Sequence, residues 1–152
     1  MRLSSRLEVL VPALWAGWML CVGTLATPAP FATLAVADAG RVVSRMLAQE
    51  AYTALVLGIV MLLLERAKSR RQAAAGQGSQ FSVNMALCLG TLFCTVAGYF
   101  AVQPMMAAAR AGQGSLSFGQ LHAISAGFFV VKGLLVLALA WRSASVVRPP
   151  AS

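Results

Sequence analysis

The 152-residue sequence predicts an all-α integral membrane fold, an antiparallel four-helix bundle, on three observations. Apolar residues make up 59% of the chain and charged residues 11%, with a mean hydropathy of +0.78; a water-soluble domain carries about a quarter charged residues. Long uncharged runs recur along the chain. The basic residues sit in short clusters between those runs. A net charge of +8 would suit nucleic acid if it covered a solvated face. Here the clustering excludes that partner and implies a lipid bilayer instead.

The first span, about residues 10–25, lies in the uncharged run Val9–Ala37. The third, about 84–102, lies in Phe81–Ala109, and the fourth, about 123–141, is interrupted only by Lys132. A bilayer core of about 30 Å needs about 20 such residues. The uncharged run Ala51–Leu64 is too short to cross at about 1.5 Å per residue. Extending it back to Met46 gives a second span, 46–64, and brings Gln49 and Glu50 into the membrane. A loop over about 65–82 then connects spans two and three within a single membrane domain, 1–152.

Lysine and arginine counts in short loops set orientation. Eight (Arg2, Arg6, Arg66, Lys68, Arg70, Arg71, Arg142 and Arg148) fall on one side, and Arg41, Arg45 and Arg110 on the other. The side with eight is expected to be cytoplasmic, with both termini, in a bacterial-type inner membrane. Trp141 beside Arg142 suits an inner-interface anchor. A cleavable signal peptide is the rival reading of the first span. Against it, Pro28 and Pro30 crowd the cleavage positions, and Trp15 and Trp18 lie in the apolar stretch.

Catalytic signatures are missing, so no enzyme activity and no cofactor is expected. The single histidine, His122, excludes a His-Glu-x-x-His zinc site and a bis-histidine haem within one protomer. Cys21, Cys88 and Cys94 form neither a disulfide framework nor a zinc pattern, and no resident metal site is assigned. Ala-Gly-Gln-Gly-Ser occurs at 75–79 and again at 111–115. Neither copy has the Gly-Lys-Ser/Thr ending of a phosphate-binding loop, and both read as turns. The basic tract from Arg66 to Arg71 fixes topology in preference to gripping lipid headgroups.

Helical spacing sorts the spans into faces. Ala86, Gly90, Cys94 and Gly98 on span three, and Ala13, Gly17 and Cys21 on span one, form small-xxx-small packing stripes. Such faces suit close contact within the bundle, with a second copy, or with another membrane protein. Asn84, Cys88, Thr91 and Thr95 form a polar stripe on span three; His122, Ser125, Phe129 and Lys132 share a face of span four. Polar groups cannot face lipid unsatisfied, so both should turn inward. Lys132 near the midplane then needs a partner, and Glu50 is the expected one if spans two and four adjoin.

Five short motifs in order carry a family resemblance. They are Leu14-Trp15-Ala16-Gly17, Pro28-x-Pro30-Phe31, Ala39-Gly40-Arg41, Gln103-Pro104-Met105 and Phe118-x-x-x-His122-x-x-Ser125. Their order resembles the family called domain of unknown function 4149, related to the transmembrane protein 205 group, over about Val11 to Trp141. The resemblance implies a four-span membrane protein with no assigned reaction. Trp18 departs from it, standing where a second glycine is expected, and a role for Lys132 rests on physics alone. With the orientation above, Pro28, Phe31, Arg41, Gln103, Pro104, His122 and Ser125 form one outer-face candidate cluster. Small-solute transport or binding is the leading function. A structural or assembly role is the alternative, and copper handling through His122, Met105, Met106 and the cysteines is a third.

Overall fold

The computed structural model describes residues 3–145. Arg2 and Arg148, two of the eight basic residues counted on one side, lie outside them. Helix α1 (Leu3–Cys21) widens into a π-helical turn (Val22–Ala26) and continues as α2 (Pro28–Thr33). The 39-residue α3 (Val36–Ala74) follows. Then α4 (Val83–Thr95) passes through a second π-helical turn (Val96–Ala101) into α5 (Val102–Arg110), and α6 (Phe118–Ser145) closes the chain. These make four helices long and apolar enough to cross a membrane: Arg6–Thr33, Val36–Ala74, Val83–Arg110 and Phe118–Ser145. The protein is a multi-pass helical membrane bundle. The end where the described chain begins and finishes is called here the terminal end, and the opposite one the distal end.

Both π-helical turns precede a proline, Pro28 in one case and Pro104 in the other. A proline has no N–H to return to the carbonyl four residues back, and the widened turn absorbs that missing bond. Thr27 N–H reaches the Val22 carbonyl, five residues back, at 3.0 Å. The helices therefore continue past the prolines instead of ending there.

The helices form a closed ring in which α1 packs on α3 and α6, and α4 packs on the same two. Spans two and four, whose adjoining was the condition set for a Lys132–Glu50 pair, lie diagonally across the axis. Buried residues on α3 follow one stripe, Glu50, Ala54, Gly58, Met61, Glu65 and Ser69, at intervals of three and four. Trp15, Ala16, Met19, Ala54 and Val136 form one core cluster, and Met61, Cys88 and Leu139 another nearer the terminal end.

Two expectations need correction. The connection expected over 65–82 is helical through Ala74. The charges mark where α3 leaves the apolar layer, but Glu, Arg, Ala, Lys and Gln are strong helix formers and the backbone keeps its bonds in water. What ends α3 is Gly76 at φ 71°. Its N–H donates to the Ala73 carbonyl at 3.0 Å, and Gln77 N–H to the Gln72 carbonyl at 2.8 Å. The second pentapeptide copy repeats this cap after α5: Gly112 at φ 72°, Gly112 N–H to Ala109 at 3.1 Å, and Gln113 N–H to Ala108 at 2.9 Å. The repeat is a left-handed glycine cap used once at each end of the bundle.

The second correction concerns the small-residue stripes. Ala13, Gly17 and Cys21 are exposed on the bundle's outside, and a Cβ added at Gly17 would meet nothing within 4 Å. Trp15, Ala16 and Met19 supply the inward face of α1 instead, because burying the larger apolar surfaces stabilises the core more. On span three the stripe does pack, except for Ala86: a Cβ on Gly98 would collide with Phe128 Cβ, and one on Gly90 would lie 3.1 Å from Leu135.

Candidate solute-binding cavity

A cavity of about 820 Å³ occupies the distal half of the bundle, lined by all four spanning helices. Its lining runs along α3 from Val36 to Glu50, along span three from Arg110 back to Cys94, and along α6 from Phe118 to Lys132. The 14 steps from Phe118 to Lys132 correspond to about 21 Å of helix. Below Lys132 the two core clusters fill the bundle. The cavity is therefore closed toward the terminal end.

Lys132 and Glu50 stand at its closed end. Lys132 Nζ donates to Glu50 Oε1 at 2.8 Å and Oε2 at 2.7 Å, a two-oxygen contact, and both side chains are almost fully buried. The pair bridges the diagonal of the ring and joins two helices that scarcely touch each other otherwise. Phe129 contributes its ring face, 5.2 Å from the ammonium.

Of the seven residues grouped from the sequence, five line this cavity: Phe31, Arg41, Gln103, His122 and Ser125. Pro28 and Pro104 do not. They lie on the exposed side of their helices and act through the π-helical turns before them. Arg41 pairs with Asp38 one turn earlier. Arg110 lies over the Phe118 ring, 4.4 Å from its centroid, and His122 stacks on the same ring at 6.0 Å. Ser125 Oγ donates to the Gly98 carbonyl in the π-helical turn at 2.7 Å. Phe128 and Phe129 of α6 thus pack against two widened turns, Phe128 on Gly98 and Phe129 on Gly23.

The polar stripe of span three faces inward, but its groups differ in use. Thr91 and Thr95 return their hydroxyls to their own helix, at the Leu87 and Thr91 carbonyls. Of that stripe only Thr95 lines the cavity. Cys94, Met106 and His122 share the cavity, while Met105 is exposed and Cys88 lies in the core with Met61. Among the described residues, no three of His, Cys, Asp and Glu gather within reach of one ion.

A polar network at the terminal end was not read from the sequence. Asn84 donates to Glu65 Oε1 at 3.2 Å and accepts from Arg142 Nε at 2.9 Å. Lys68 lies 3.2 Å from Glu8 and 3.8 Å from Glu65, so all four spanning helices are joined. The hydroxyls of Ser69 and Ser143, in the same turns, are buried without partners among the described residues. The signal that could have found Glu65 is its place on the α3 stripe, four residues from both Met61 and Ser69. Ending the span at residue 64 hid it.

Residues 10–115 match the model of a family described as a domain of unknown function (DUF4149). The match covers four of the five motifs read from the sequence and stops before Phe118. No curated protein and no solved structure matches the chain.

Proposed function

The chain belongs to the DUF4149 family, and from that premise we propose that it is a membrane protein that binds a small anionic solute in the distal cavity. The observation that carries this reading is the cavity itself: all four spanning helices line it, and it gathers five of the seven grouped residues. A pocket of this size, largely apolar with a few convergent polar groups, has the form of a ligand site. Its charge supports an anion. Glu50 offsets Lys132, which leaves the guanidinium groups of Arg41 and Arg110 nearer the mouth. Arg41 has Asp38 beside it; Arg110 has no carboxylate partner among the described residues. In this reading the distal end faces outward, since it carries three basic residues against eight.

A structural role has one specific observation in its favour, that Ser125 spends its hydroxyl on the Gly98 carbonyl. The two readings separate in a thermal-shift titration of the purified full chain with glycerol 3-phosphate, short carboxylates and matched neutral and cationic compounds. The anions should raise the melting temperature, and Arg110→Gln should reduce that shift while lowering the unliganded melting temperature only by the small loss of its contact with the Phe118 ring. No shift with any anion at millimolar concentration would overturn the binding reading.

A further inference from the structure

A second cleft, of about 330 Å³, lies on the seam between α1 and α6. Its walls include Met19, Leu20, Phe129, Leu134 and Leu137, and Thr24 is the only polar side chain among its lining residues. Thr24 returns its hydroxyl to the Leu20 carbonyl at 2.7 Å, so even this group presents no free donor. Leu20, Leu134 and Leu137 are exposed on the outside of the bundle, where the bilayer lies. This is an apolar slot opening sideways.

Gly23, Phe129 and Val130 line both this cleft and the distal cavity. The wall between the two is therefore thin, one glycine against one phenyl ring. A Cβ on Gly23 would lie 3.2 Å from Phe129 Cε1, so any larger side chain there would thicken that wall. Gly23 also lies in the π-helical turn of the first span, which sets its backbone against the ring.

Resting on the binding reading above, we propose that the anionic ligand of the cavity is a membrane phospholipid that enters through the α1–α6 seam. One acyl chain lies in the apolar cleft, and its phosphate headgroup passes Phe129 into the cavity toward Arg41 and Arg110. Two features on one path favour this occupant over a wholly water-soluble anion. The apolar cleft has no use for a polar solute, and the basic groups would hold a phosphate by charge-assisted hydrogen bonds. The headgroup must be anionic overall, because a zwitterion would bring its own cation to the same arginines.

The test uses the full chain in nanodiscs containing a trace of phosphatidylglycerol with a photoreactive diazirine on one acyl chain, in a phosphatidylcholine background. Crosslinks should concentrate on peptides bearing Met19, Leu20 and Leu134. Unlabelled phosphatidylglycerol should compete them away, and added phosphatidylcholine should not. Removing both arginines (Arg41→Gln with Arg110→Gln) should weaken that competition about tenfold or more, as expected for loss of a charged hydrogen bond. Gly23→Leu should suppress the seam crosslinks; Leu134→Trp, on an exposed position that leaves the bundle interior untouched, should do the same. Labelling spread evenly over all lipid-facing peptides, indifferent to headgroup and variants, would mean annular lipid only and would overturn the proposal. If glycerol 3-phosphate shifts the melting temperature while seam labelling stays nonspecific, the lateral route fails and the cavity reading stands. If neither probe responds, both fail.

Discussion

Lys132 is the residue on which sequence and structure meet most directly. An ammonium near the middle of a span costs about 2.5–3.5 kcal/mol on insertion scales, so the sequence alone demanded a partner. Only four acidic residues were on offer, and Glu50 was the one within a span. The structure sets its carboxylate 2.7 Å from the ammonium. What the sequence did not reveal is the diagonal placement, because spacing along a helix gives a face without naming the neighbour it meets. Lys132→Met or Glu50→Gln leaves one charge buried and uncompensated, at a cost of about 3–5 kcal/mol. Each should sharply lower the yield of monodisperse protein, and the double variant should recover part of it. Losses that simply add, measured by fluorescence size-exclusion, would show that the two side chains do not depend on each other.

At the scale of elements, the four spans were legible in the uncharged runs, but their ends were not. Hydropathy reports where a helix leaves the hydrocarbon layer; hydrogen bonding and glycine decide where it stops. α3 runs ten residues past Leu64, the end of its uncharged run, and is capped only by Gly76. Nor were the π-helical turns expected, although a glycine five or six residues before each proline, Gly23 before Pro28 and Gly98 before Pro104, was a usable hint. The two caps give a measurable consequence. Gly76 and Gly112 sit at φ 71° and 72°, with open space around a would-be Cβ. Alanine at either position therefore carries only the backbone penalty of the left-handed region, about 1 kcal/mol. Thermal unfolding in detergent should show the same small loss for Gly76→Ala and Gly112→Ala, and a similar further loss for the pair. A much larger effect at one of them would mean that its loop makes contacts beyond the cap.

Across the whole molecule, the two halves of the bundle differ in a way composition cannot express. The terminal half is packed with apolar clusters and closed by the Glu8–Lys68–Glu65–Asn84–Arg142 network. The distal half encloses the cavity. A void leaves no mark in a sequence, which is why the grouped residues Phe31, Gln103 and His122 were legible while the space between them was not. Which half faces the cytoplasm is decided by experiment on the two pentapeptide turns, which cap α3 and α5 at opposite ends. In a cysteine-free background, Ser115→Cys should react with an impermeant maleimide on intact cells and Ser79→Cys only after lysis. The reverse pattern would invert the orientation, and with it the side from which the cavity fills.

The diagonal ion pair also sets a schedule for the newborn chain. Glu50 and Lys132 are 82 residues apart, and a ribosome adding about 5–20 residues per second needs about 4–16 s to travel from one to the other. For that interval the second helix carries a carboxylate whose counter-ion has not yet been made. Until the last helix arrives, that carboxylate is an uncompensated charge within the second span, which favours holding it at the rim of the insertion machinery. The final span is thus the one whose arrival lets the second settle.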